Sequence, residues 1–233
     1  MSLKNFSELF GDLDSINSTN NKIEVLKRYF LSNEPIDNSW AIYLLTGKNN
    51  KRFISGRYLK NLFSQIYDYP QWLIDICYLK VGDSAEVITL LLKNKTNSRK
   101  KKLSNISLNE LLSKTIPELS KLNEEEKNLQ IKNIWERLPE DYHLIFNKIL
   151  TGTFRVGVSI GLITKSISKL INIDEEIISH RLMGNFEPSI DSYKFLINKN
   201  INIYELNSKP FPFLLANTFF SPRRVYRRLF LNY

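Results

Sequence analysis

The chain has 233 residues, with 33 Lys and Arg against 24 Asp and Glu, a net charge of +9, and 42% hydrophobic residues, enough to bury a core in one large domain or two small ones. Gly and Pro at 8 each and a single cysteine, Cys77, exclude low-complexity chains, a disulfide framework and a multi-thiolate metal site. No long apolar run occurs and Met1 to Phe10 lacks the shape of a signal peptide, so the expectation is a soluble, cytoplasmic protein with an anionic partner and no membrane.

In chain order, apolar residues recur at helical spacing. Leu3, Phe6, Leu9, Phe10 and Leu13 form one stripe. Ser18 or Thr19 caps a second helix carrying Ile23, Leu26 and Phe30. Trp40, Tyr43 and Leu44 mark a third, which ends at Gly47. Further helices are expected to start near Ser55, Pro70, Asp83, Ser107, Asn123, Pro139, Ser159, Asp174 and Ser189, about a dozen in all. Pro70 and Pro139 suit a first helical turn, where a missing N–H leaves nothing unpaired. No segment alternates long enough to demand a sheet; Asn200 to Tyr204 comes nearest. The expected fold is therefore all-α.

Two breaks divide the chain. Lys93 to Asn105 has six Lys or Arg and no acid, and reads as a solvated basic loop between two helical halves. Ser208 to Pro212 reads as the start of a linker. The charge is uneven: residues 1–102 carry +6, 103–220 carry −1, and 221–233 carry +4.

The halves resemble each other. Leu44-Leu45-Thr46-Gly47 matches Ile149-Leu150-Thr151-Gly152 at an offset of 105, Phe53-Ile54-Ser55 matches Gly157-Val158-Ser159 at 104, and Gly82 matches Gly184 at 102. Each copy reads as helix, Thr-Gly turn, basic loop with Arg52 or Arg155, then a Ser-capped helix. A true repeat implies two related lobes about a pseudo-twofold axis. Thr-Gly permits a left-handed exit, and the next helix begins with free amides that attract phosphate. Arg52, Arg155, Lys48 and Lys51 stand beside them. Two such sites suit two phosphate stretches across one minor groove, gripped without reading sequence. The simpler alternative makes Thr-Gly only a C-cap and Ser only an N-cap.

The stretch Leu150-Thr151-Gly152-Thr153-Phe154-Arg155-Val156-Gly157-Val158-Ser159 resembles the signature of the N-terminal DNA-binding domain of ATP-dependent DNA ligases. His180 to Gly184, Glu187-Pro188, Trp40 to Gly47 and Val81 to Glu86 resemble a bacterial branch of that family, over roughly residues 3–217. The resemblance implies an all-helical domain that binds duplex DNA beside a nick, over the minor groove, in concert with nucleotidyltransferase and OB-fold domains. Carried over by position, the implied backbone-contacting residues are Thr151, Gly152, Arg155, Gly157 and Ser159, with Thr46, Gly47, Arg52 and Ser55 as the degraded first copy. The implied organisation is a DNA-binding domain over 1–217, with lobes at about 1–92 and 107–207 joined by loop 93–105, and an atypical tail over 218–233.

The family forms a lysyl-adenylate at Lys-x-Asp-Gly, and that string is absent here. Lys80-Val81-Gly82-Asp83 has the wrong order. The expectation is a chain that is inactive alone, with ATP and Mg belonging to a catalytic domain supplied elsewhere. The tail Ser221 to Tyr233 holds four Arg where the preceding 220 residues hold only seven, which reads as a truncated or frameshifted end.

Other chemistry is sparse. His143 reads as a packed, satisfied histidine, His180 as packing at the second turn, and Cys77 as a buried, inert thiol. Glu124 to Glu126 read as a solvated helix start, and Trp40, Trp72 and Trp135 as core. The alternative function is a basic helical adaptor that binds acidic protein partners.

Overall fold

A computed structural model describes residues 2–47, 52–93, 95, 103, 106–183 and 186–200. Why each helix starts where it does is visible at its first residue. Ser55, Asp83, Ser107, Asn123, Ser159 and Ser189 each accept backbone amides of the following turn through their side chains. Each such cap contributes about 1 kcal/mol by satisfying donors the helix cannot. Asn123 and Glu126 complete a reciprocal capping box, with Glu124 to Glu126 exposed as expected. Pro70 and Pro139 sit one position earlier than expected, at the cap, because their extended ψ of 124° and 145° delays the first helical residue. Ser18 caps by position only, with no side-chain bond.

The resulting helices are α1 (Ser2–Ser15), α2 (Thr19–Ser32), α3 (Pro35–Leu45), α4 (Gly56–Tyr67), α5 (Gln71–Val81) and α6 (Ser84–Leu92) in the first half. The second half holds α7 (Leu108–Glu110), α8 (Ile116–Lys121), α9 (Glu124–Arg137), α10 (Glu140–Thr151), α11 (Ile160–Ile171), α12 (Glu175–Leu182) and α13 (Ile190–Leu196). A π turn, Leu111–Thr115, joins α7 to α8. Its wider loop relieves the clash that Pro117 would make inside a regular helix. Among the described residues there is no strand.

The two halves share local features at a nearly constant offset. Both α4 and α11 have 12 residues and start 104 positions apart. Each ends on a left-handed non-glycine residue, Asp68 or Asn172. Each uses a serine near its end, Ser64 or Ser168, to donate to the carbonyl of Tyr69 or Ile173, both at 2.6 Å. The contacts between helices obey the same exchange. Helix α6 packs on α10, and its counterpart α13 packs on α3. Helix α1 packs on α10 while α7 packs on α3, and α2 packs on α11 while Tyr58 of α4 donates to Asn128 of α9 at 2.6 Å. The sequence halves therefore interlock, and one apolar cluster runs through both, from Leu3 to Leu196.

Three side chains depart from expectation. Trp135 is fully buried, but Trp40 is half-buried and Trp72 is 64% exposed, so only one of the three tryptophans is fully core. Cys77 is half-buried rather than enclosed. The reason is common to Trp72 and Cys77: apart from Gln71, Asp75 and Lys80, α5 carries apolar residues around most of its circumference, and only Ile74 is fully buried. The Asn200 to Tyr204 strand candidate (beyond its first residue), the Ser208 linker, the 218–233 tail, and most of loop 93–105 lie outside the described residues.

Candidate functional site

Both Thr-Gly turns close as left-handed caps. Gly47 and Gly152 each have φ of +69°, a conformation that favours glycine. The threonines serve the turn itself. Thr46 donates its amide to Ile42 O at 2.9 Å and its hydroxyl to Tyr43 O at 3.2 Å. Thr151 is buried, and its hydroxyl bonds Asn147 O and the Thr153 hydroxyl, both at 3.0 Å. Arg52, Arg155, Ser55 and Ser159 are exposed. The two serines accept from Tyr58 at 3.1 Å and Leu162 at 3.3 Å, which leaves the first two amides of α4 and of α11 without a helical acceptor. Lys48 and Lys51 lie outside the described residues, as does Gly184.

The structure gathers part of this set. Arg52, Ser55 and Thr151 line one open recess of about 710 Å³. The first-half loop is pinned there by the second half, because Phe53 and Ile54 both donate to Leu150 O, at 3.0 and 2.9 Å. Gly152, Arg155, Gly157 and Ser159, and likewise Thr46 and Gly47, do not line this recess.

The recess has a second wall that the sequence reading missed. The starts of α4 and α6 meet at Gly56 and Ser84, so close that a Cβ on Gly56 would lie 2.6 Å from Ser84 Oγ. Two helix N-termini, with their partial positive charge, thus open on one space. Arg57 and Lys60 add cations to it. Its two carboxylates are already neutralised. Lys60 pairs with Asp75 at 2.6 Å, and that hydrogen bond foremost holds the Asp75 carboxyl below its ordinary range, with Arg57 assisting. Asp83 caps α6 with one oxygen and meets Lys148 with the other at 3.0 Å. Arg52 and Arg57 remain as exposed cations facing solvent.

Lys148 explains why the recess holds its shape. Its ammonium, with the side chain 3% exposed, joins Asp83 and Glu86, the latter at 2.7 Å, and so ties α10 to the start of α6. One residue earlier, Asn147 accepts from Trp135 Nε1 at 2.9 Å and donates to Thr89 at 3.0 Å. A polar pair inside the apolar run Ile145 to Leu150 is the signal that marks this seam in the sequence.

His143 lies against the same seam. It is fully buried, and its Nε2–H donates to Trp135 O at 2.9 Å, but its Nδ1 is buried without a partner among the described residues, so the histidine is packed and only half satisfied. Burial is the main cause that holds its pKa below the ordinary histidine value, offset in part by that backbone bond. The unfolded chain therefore takes up this proton at higher pH than the folded one. The contribution is fully present above pH about 6.5 and is lost as pH falls below it. Thermal melts of the native chain and His143→Gln between pH 7.5 and 5 are expected to show a shallower fall in the variant. Parallel curves would contradict this.

A family model described as DNA ligase N terminus matches residues 2–178, from α1 into α12. No curated protein matches the chain. Among the described residues, no helix is long and apolar enough to cross a membrane.

Proposed function

From the fact that the chain belongs to the DNA ligase N-terminal domain family, we propose that it binds duplex DNA, nicked or intact, through the phosphate backbone and with little preference for sequence. The observation that carries the reading is the recess. There, Arg52, Ser55 and Arg57 of one half stand beside the Thr151 turn of the other, on two converging helix starts. The pseudo-equivalent turn offers Arg155 and Ser159 at the start of α11. Backbone amides and guanidiniums hold phosphate oxygens and fix register, but carry no sequence information. Two such turns related by the repeat grip two phosphate stretches, as one minor groove presents them.

In this reading the chain holds the DNA for nick joining, in repair or replication, and does none of the chemistry. It lacks the Lys-x-Asp-Gly string that would accept the nucleotide, so ATP and Mg belong to a catalytic domain. Incubation with ATP is expected to leave no covalent AMP adduct. The principal test is a fluorescence anisotropy titration against nicked duplex at several salt concentrations. Affinity should fall steeply with salt, because each phosphate contact releases counterions. A flat salt response would reject the reading.

One observation favours the adaptor alternative. Trp72, Ile76 and Leu79 form an exposed apolar stripe on α5, of the kind that meets protein partners. In that case heparin competes as well as duplex DNA does, and removing the stripe, not the arginines, abolishes partner binding.

A further inference from the structure

Each turn loop is held by a lysine from the opposite half. Lys22 of α2 is only 9% exposed, and its ammonium donates to Val156 O at 2.8 Å and Gly157 O at 3.4 Å. Lys127 of α9 lies over the Phe53 ring, 5.6 Å from its centroid. Lys22 and Lys127 are 105 positions apart, on counterpart helices. Phe53 and Gly157 are counterparts as well, 104 apart. The two lysines thus occupy one position of the repeated unit, and each reaches across to the other unit's loop.

Their difference accounts for the difference between the two motifs. Gly157 has φ of +60°, and a Cβ there would lie 2.9 Å from Lys22 Nζ. The second loop therefore favours glycine for its backbone angle, and a larger residue there would also push against the ammonium. In the first loop Phe53 occupies this place, its amide bonds Leu150 O, and the lysine rests on the ring instead of bonding carbonyls.

We propose that Lys22 is a positioning residue for DNA binding. It holds residues 153–158 in the form that presents Arg155 and the first amides of α11, and it does not touch DNA itself. Its burial supports this: the residue is only 9% exposed and turns two of its three N–H donors to carbonyls of the loop. The inference rests on the DNA-binding reading above and adds a residue to it.

The test is a double-mutant cycle on the full chain, read by anisotropy with a labelled nicked duplex. Lys22→Met is expected to weaken binding about tenfold, as loss of one well-placed charge-assisted contact would. The salt slope should fall by no more than Arg155→Ala alone produces, because Lys22 supplies no phosphate partner of its own. Arg155→Ala should weaken the Lys22→Met protein less than it weakens the native one, since the arginine is already misplaced. Lys22→Arg, which keeps donor and charge, should recover most of the affinity. Unchanged affinity overturns the proposal, and so does a salt slope that falls by about one more when Lys22→Met is added to Arg155→Ala, which would make Lys22 itself a phosphate contact. Strict additivity with Arg155→Ala also overturns it, leaving Lys22 a general support of the fold. If Lys22→Met does not fold, Lys22→Gln decides: weaker binding that Arg155→Ala hardly worsens supports the proposal, and unchanged binding overturns it. A native chain that fails to bind duplex overturns the DNA-binding reading and this inference with it. A native chain that binds, with Lys22→Met indifferent, overturns the inference alone.

Discussion

Replacing Arg52 and Arg155 together with alanine is expected to weaken binding to nicked duplex about a hundredfold near physiological salt, and to lower the slope of log affinity against log salt by about two. The two arginines stand on separate, pseudo-equivalent turns, both exposed. Each is assigned one phosphate, and a charge-assisted contact of this kind is worth about 1.5 kcal/mol or somewhat more, hence roughly tenfold each. The loss should be uniform across DNA sequences, because a backbone contact reads no bases. Titration of several duplexes at several salt concentrations measures both quantities. A loss confined to some sequences, or an unaltered slope, contradicts the assigned roles. Thermal melts should barely change, since neither guanidinium is buried.

Trp135→Ala is expected to destabilise the fold by about 4 kcal/mol, a large share of the 5–15 kcal/mol typical of a domain. The indole is fully buried, with the Phe63 and Tyr67 rings 6.4 and 6.5 Å away. Its removal opens a cavity and strips Asn147 Oδ1 of its donor within the core. Trp135→Phe keeps one aromatic ring but loses the donor and part of the indole volume, so about half that loss is expected. Urea unfolding followed by circular dichroism checks both values. An alanine variant within 2 kcal/mol of the native chain contradicts the account. Because Asn147 precedes Lys148 on the seam between α10 and α6, the alanine variant should also blur the recess and weaken DNA binding.

The caps were the most legible part of the sequence. Ser55, Asp83, Ser107, Asn123, Ser159 and Ser189 act over two or three residues, so local sequence contains the whole interaction. The same holds for the left-handed glycines after Thr46 and Thr151. The repeat was visible through a few turn residues, and the structure extends it to pairs that share no identity, such as Asp68 with Asn172. Long-range partners were not legible. Nothing near Lys22 names Val156, which lies 134 residues away, and nothing near Lys148 names Asp83, 65 residues away. Trp72 is not legible as exposed because the apolar residues of α5 extend around most of the helix and define no single buried stripe. The gathering of Arg52 and Ser55 with Thr151 likewise depends on Leu150 accepting two amides from a distant loop.

The exchange of helices between the halves has a mechanical consequence. A clamp made of two separate jaws opens at the joint between them, and its grip follows the curvature of whatever it holds. Here α3 is wedged against α13 and α10 against α6, so any opening motion must pull apart both seams at once. The two turns are thereby fixed at a constant spacing, like teeth on one casting. On the proposed reading, duplex DNA that meets them supplies the flexing, and a nick, where one strand has lost its continuity, is the place where a duplex bends most easily.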